Sequence, residues 1–278
     1  MPTHVKNRAK AKKNDEWYTY EEDIAKELSN YLPYIRGKRV ICPADHPDRS
    51  MFYKHLKNNF ARYGLKTLTA TFYDPNGKAY ATVYDGHKEF QTRLIGNGDI
   101  LSGEIRGIIR ANDLVITNPP FSLIKKWMDY MIPDGIRFLI VAPNDAICYT
   151  PVFPQSMIGK VRWGYNKIKS FGNATTKLGM VGWITNLPVR DKSPLSLTVR
   201  YTPANYEKLI DPKGHGAIFI KRLKDIPMDY PGPMAIPITL MEQINYRQFK
   251  VLGIDHCPRT PTTPPGKCKY KRVIAIRR

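Results

Sequence analysis

Along roughly the first two-thirds of the chain, short apolar runs alternate with stretches whose apolar residues recur every three or four positions. That alternation predicts strands joined by crossover helices, and so a largely parallel sheet. Ile24, Leu28 and Tyr31 share one face of a helix expected over 21–31, and Phe52, Leu56, Phe60 and Tyr63 do the same for 51–63. Residues 38–42 and 65–73 read as the first two strands. Residues 80–84 and 88–94 flank Asp85-Gly86, a dipeptide suited to a tight turn, and read as an inserted hairpin. Helical spacing returns over 100–110, followed by a compact apolar strand over 113–117. That strand runs directly into Asn118-Pro119-Pro120-Phe121. A helix over 122–131, a buried strand over 137–142 and strands around 160–165 and 180–185 complete the pattern.

Beyond residue 187 the texture changes. Pro227, Pro231, Pro233 and Pro237, then Pro258, Pro261, Pro264 and Pro265, argue against long helices and central strands. The ends are basic: residues 1–12 read as a flexible arm, and the last dozen residues as a basic tail. The expected division is therefore an arm over 1–12, a main α/β domain over 13–187 and a basic, Pro-rich region over 188–278.

Composition narrows the class. With 42% hydrophobic and 24% charged residues the chain can bury a core, which excludes disordered, collagen-like and coiled-coil classes. The 44 Lys and Arg outnumber the 24 Asp and Glu, leaving a net charge of +20 whose self-repulsion a polyanion would relieve. No run of 18 apolar residues exists, and the N-terminus lacks the apolar segment of a signal peptide. Cys42, Cys148, Cys257 and Cys268 show no C-x-x-C spacing, so reduced thiols and a cytoplasmic setting are expected. His256, Cys257 and Cys268 lack paired ligand spacing, and no metal is expected.

The turn at 118–121 carries chemistry. An exocyclic amine on adenine is a weak nucleophile because its lone pair is delocalised into the ring. Two acceptors, the Asn118 side-chain oxygen and the Pro119 carbonyl, would draw that nitrogen toward tetrahedral geometry and stabilise the positive charge that develops on it. Pro119 and Pro120 fix the backbone direction. Phe121 would stack on a base removed from its duplex. The methyl donor for such chemistry is S-adenosylmethionine, and acceptors for it are sought at the other strand ends. Pro43 and Asp45 follow the first strand, Asp74 follows the second, and Asp99 with Ile100 closes the segment Gly96-Asn97-Gly98. Each alone is as compatible with an ordinary turn; their order along the chain is the signal.

These residues resemble the EcoRI-type adenine-specific DNA methyltransferases. The similar stretches are Lys13-Asn14-Asp15-Glu16-Trp17-Tyr18-Thr19 with Glu22-Asp23-Ile24, Cys42-Pro43-Ala44-Asp45 with Ser50-Met51-Phe52, Gly98-Asp99, Thr117 to Ser122, and Ala142-Pro143-Asn144-Asp145-Ala146. The resemblance implies a Rossmann-like methyltransferase core over 13–187 that binds S-adenosylmethionine and methylates the N6 amine of a flipped-out adenine in duplex DNA. It places Trp17, Tyr18 and Thr19 over the methionine part of the cofactor. The order of motifs is gamma-like, which makes 188–278 the region for target recognition. It also implies a cognate restriction endonuclease as a partner in function rather than in complex, no membrane partner, and a prokaryotic or phage-infected host cell. RNA adenine methylation, or a catalytically silent DNA-binding or anti-restriction protein on the same scaffold, are the alternatives.

Overall fold

A computed structural model describes residues 19–168, 181–210, 216–263 and 270–278; Trp17 and Tyr18 lie outside them. Two compact units emerge. One gathers the described residues up to Val152 together with Trp163–Pro188, and the other gathers Phe153–Arg162 with Val189–Arg278.

The first unit is built on an eight-stranded mixed sheet. Its strands are β1 (Arg39–Cys42), β2 (Thr67–Thr71), β3 (Tyr80–Tyr84), β4 (Glu89–Arg93), β5 (Leu114–Thr117), β6 (Phe138–Pro143), β7 (Arg162–Ile168) and β8 (Val181–Thr185). The spatial order is β4-β3-β2-β1-β5-β6-β8-β7. β1 pairs in parallel with both β2 and β5, and β5 with β6. The strand order reverses at β1 and β5, so a crevice is expected beyond the carboxyl ends of those two strands. The expectation of a parallel sheet therefore holds only at the centre: β3, paired to β2 and β4, and β8, paired to β6, run antiparallel. The central strands read as nearly unbroken apolar runs because both faces are covered. Val40, Ile41, Val115, Ile116, Leu139, Ile140 and Val141 are all fully buried.

Several helices are shorter than the periodicity implies. The first is α1 (Glu21–Leu28), continued by a 3-10 turn and by α2 (Leu32–Ile35), since Pro33 has no N–H to sustain a regular helix through that point. The stretch over 51–63 breaks at Asn59 into α3 (Met51–Asn58) and α4 (Phe60–Tyr63). Gly64, at φ +61°, closes α4 in the left-handed region. The helix expected from residue 100 begins later, as α5 (Gly103–Arg110), because the Ser102 hydroxyl caps it by accepting from the Ile105 N–H at 3.2 Å. α6 (Phe121–Met131) starts directly after Pro120 and buries Ile124, Trp127, Met128 and Met131. The hairpin turns through four residues rather than two, since β3 and β4 pair as far as Tyr84 with Glu89. Asp85 Oδ1 accepts from the His87 and Lys88 N–H groups, both at 2.8 Å, and rigidifies that loop.

The second unit corrects two expectations. It contains a four-stranded sheet ordered β11-β12-β10-β9, from β9 (Ile218–Phe219), β10 (Met234–Pro237), β11 (Phe249–Asp255) and β12 (Arg272–Arg277). Prolines do not prevent interior strands, because Pro233 sits just before β10 and Pro237 ends it. The Pro233 carbonyl still accepts from Ile218 N–H at 3.0 Å. The basic C-terminus is no free tail either: β12 is an interior strand with Val273, Ile274 and Ala275 buried. Arg272 is itself buried and lies over the Phe219 ring at 4.7 Å. Two short helices, α7 (Phe153–Met157) and α8 (Leu240–Gln243), also belong to this unit. Cys42 and Cys148 are buried, whereas Cys257 is disulfide-bonded, against the expectation that all four cysteines are reduced. Pairing depends on Cα separation in the fold, which sequence spacing does not report. Among the described residues no helix is long and apolar enough to cross a membrane.

Candidate active site

The carboxyl ends of the central strands bring most of the expected residues to one end of the sheet. At the end of β5, Thr117 is fully buried and Asn118, Pro119, Pro120 and Phe121 follow as the turn into α6. Asn118, Pro120 and Phe121 are half-buried, while Pro119 is buried. Leu123 N–H donates to the Pro120 carbonyl at 3.0 Å, which winds the first turn of α6 onto the motif. Asn118 Nδ2 donates to the Thr19 hydroxyl at 3.3 Å. Because that bond takes the amide nitrogen, it sets which way the Asn118 oxygen faces.

Beside it, the loop after β1 carries Pro43 and Asp45, both buried. Asp45 is 5% exposed. Its Oδ1 accepts from the Ser50 hydroxyl and its Oδ2 from the Thr117 hydroxyl, each at 2.5 Å. Ser50 in turn caps α3, accepting from Phe52 N–H at 3.1 Å. Burial pushes the Asp45 carboxyl up to about 6, opposed by those two hydroxyl donors. The same loop is laced to β2: Asp45 N–H donates to Thr71 O at 2.9 Å and Thr71 Oγ1 donates to Pro43 O at 3.0 Å. The sequence alone singled out Asp45 as a ligand group; the geometry points it inward, at hydroxyls on α3 and β5. Ser50 and Thr117 had no role assigned, although a serine directly before an amphipathic helix is a recognisable cap signal.

Asp74 and Asp99 meet in a second cluster. Asp74 N–H donates to Asn97 O at 2.9 Å, which joins the loop after β2 to the loop after β4. Gly98, at φ +75°, is required there: a Cβ would overlap the Phe72 carbonyl. Asp74 Oδ1 accepts from Asn76 N–H at 2.7 Å and Asp99 Oδ1 from Leu101 N–H at 2.9 Å. Each carboxylate thus spends one oxygen on its own loop. Ile100 is buried, and its carbonyl accepts from the Tyr130 hydroxyl of α6 at 2.8 Å. The His46 ring packs against Phe72 with centroids 4.2 Å apart, and burial with the nearby Arg49 charge holds its pKa below the ordinary value. Acceptors after β2 and β4, joined through Asn97 and beside aromatic surface, suit a nucleoside carrying hydroxyls and an amine.

A polar-proline turn at the end of β5, with acceptor-bearing loops after β1, β2 and β4 of the same sheet, is the layout of an amino-methyltransferase. Comparison with known proteins agrees. The model of the family described as adenine-specific methyltransferase EcoRI matches residues 5–171 and 162–275. The chain is 32% identical over 315 residues to Type II methyltransferase M.EcoRI of Escherichia coli, covering 96% of this chain and 94% of that one. It is 31% identical over 271 residues to Type II methyltransferase M.MpnI of Mycoplasma pneumoniae, covering 90% and 85%. A similar protein of Mycoplasma genitalium, Type II methyltransferase M.MgeORF184P, is 30% identical over 90% of this chain and 86% of its own. No solved structure matches. The chain belongs to the EcoRI family of adenine-specific methyltransferases.

Proposed function

We propose that this protein is a site-specific DNA methyltransferase that moves a methyl group from S-adenosylmethionine to the N6 amine of an adenine flipped out of duplex DNA. The observation that carries the proposal is the Asn118 turn, held at the switch point of the sheet with its amide nitrogen engaged by Thr19. In this reading the first unit is a Rossmann-like core with β3 and β4 as an inserted hairpin. The Pro-rich region over 188–278 serves target recognition.

Asp74 fits ribose hydroxyls through its second oxygen, and Asp99 fits the adenine amine of the cofactor. Pro43, Thr19 and Ile100 supply walls, and Trp17 and Tyr18 join them by the family likeness. Bound there, S-adenosylmethionine supplies an electrophilic methyl group. The chain's own part is to prepare the nucleophile. Asn118 Oδ1 and the Pro119 carbonyl accept the two N6 hydrogens of the target base, so that positive charge on that nitrogen is stabilised as it forms. The rigid Pro119-Pro120 backbone spares reorganisation at that moment. Phe121 offers its ring to the extruded base and offsets lost stacking.

The +20 charge fits a polyanionic substrate. Incubation with methyl-labelled S-adenosylmethionine and either duplex DNA, RNA or no polymer tests the proposal. Label in the DNA, on N6-methyladenine, is the expected result. Label confined to RNA, or DNA binding without any transfer, would refute it.

A further inference from the structure

We infer that Asp45 is a positioning residue for the reaction: it holds the Thr117 hydroxyl and thereby ties the loop after β1 to the catalytic turn, so that the Asp45–Thr117 pair governs the rate of methyl transfer rather than the binding of the donor. The inference rests on the reading of Asn118 as the acceptor for the target amine.

Asp45 is almost wholly enclosed, yet both of its oxygens are matched to hydroxyl donors at 2.5 Å. Among the described residues, burial and these two hydroxyls are what act on the carboxyl. Burying a carboxylate is costly and both its oxygens are spent on hydroxyl donors, so the arrangement is a poor way merely to fill space.

The two donors stand at informative places. Ser50 begins α3, and Thr117 is the last residue of β5, immediately before Asn118. Strand β5 otherwise consists of Leu114, Val115 and Ile116, all buried. At position 117 valine would serve the strand and the core equally well; only the hydroxyl sets threonine apart. A single carboxylate therefore fixes the end of β5 against the loop after β1, across the point where the strand order reverses. The Asp45 main-chain bond to Thr71 extends the same anchorage to β2. Displacing a reacting group by about an ångström is enough to cost two orders of magnitude in rate. A pin one residue away from Asn118 is placed to prevent that displacement.

The test uses the full chain with DNA free of N6-methyladenine, measuring two quantities: donor affinity by equilibrium binding of S-adenosylmethionine, and methylation rate at saturating donor and DNA. Thr117→Val keeps the shape and removes the hydroxyl. It should lower the saturated rate about tenfold or more, with donor affinity within about threefold of wild type. Thr117→Ser, which keeps the hydroxyl, should restore most of the rate. Asp45→Asn can accept from only one of the two hydroxyls and should reproduce the Thr117→Val pattern, covering the case in which Thr117→Val does not fold. A wild-type rate in Thr117→Val would overturn the inference. So would a loss of donor affinity at unchanged saturated rate in Asp45→Asn, the signature of a direct ligand. Failure of the underlying reading shows separately, in the wild-type sample alone: a wild-type chain that binds donor but leaves DNA unlabelled removes the reading and this inference with it.

Discussion

At the scale of single residues, rate and binding separate cleanly in the proposed mechanism. Asn118 accepts a hydrogen bond that strengthens as charge develops, so Asn118→Ala should lower the methylation rate about a hundredfold or more with DNA and donor affinity little changed. Quench-flow or initial-rate assays beside binding titrations check this. Phe121→Ala deletes a stacking surface worth about 1–3 kcal/mol, and a mismatch at the target base should recover part of the loss because flipping is then cheaper. Phe121→Tyr should keep most activity. On the donor side, Asp99 keeps one oxygen outside its own loop bond to Leu101. Asp99→Ala should weaken S-adenosylmethionine binding by about 1–3 kcal/mol in calorimetric titration, and unchanged affinity would place the pocket elsewhere.

At the scale of elements, buried carboxylates stitch the first unit together. Glu27 on α1 is fully buried and accepts from Tyr165 N–H at 2.9 Å, from Asn166 N–H and Nδ2 at 2.8 Å each, and from the Tyr31 hydroxyl at 3.0 Å. One side chain thus joins a helix near the start of the domain to β7. Glu27→Ala would strand those donors, and urea denaturation should show a loss of about 3 kcal/mol or more. The surface pair Arg39–Asp113 behaves differently. Arg39 donates to Asp113 at 2.8 Å and holds its carboxyl down at about 2, from an ordinary 3.8. A depressed folded pKa means stability that is present above pH 4 and lost as pH falls toward 2. Because the pair is partly exposed, Asp113→Asn should remove no more than about 1 kcal/mol at neutral pH, and should flatten stability between pH 4 and 2. Asp45 has the opposite sign: its raised folded pKa makes stability fall as pH rises from about 4 to about 6.

At the scale of the whole molecule, charge dominates. A net +20 on 278 residues implies steep salt dependence if DNA is the substrate, and about six phosphate contacts would cost roughly a thousandfold in affinity between 50 and 200 mM salt. Deleting residues 1–12, which carry Lys6, Arg8, Lys10 and Lys12, should flatten that slope and spare donor binding. Filter-binding or anisotropy titrations across salt concentrations measure it, and an unchanged slope would rule out a phosphate-binding arm. The corresponding deletion at the other end is not equivalent, since β12 is an interior strand and its loss would unfold the second sheet.

Local chemistry made much of this legible in the chain itself. Apolar runs at β1, β5 and β6 mark strands buried on both faces, and Asn118-Pro119-Pro120-Phe121 announces its turn because proline restricts the backbone whatever surrounds it. Helix ends were less legible, since caps such as Ser102 and breaks such as Asn59 shift boundaries by a few residues without disturbing the hydrophobic spacing. What only the tertiary structure decided is which partner each polar group meets. Sequence shows Asp45 at a strand end, where a ligand acceptor belongs. The fold alone brings the Thr117 hydroxyl, 72 residues away, to its second oxygen. The same holds for the C-terminal arginines, whose charge reads as a free tail until pairing with β10 and β11 buries their strand. Propensity and patterning act over a few residues, whereas a buried polar group is satisfied by whatever the chain's crossovers deliver to it.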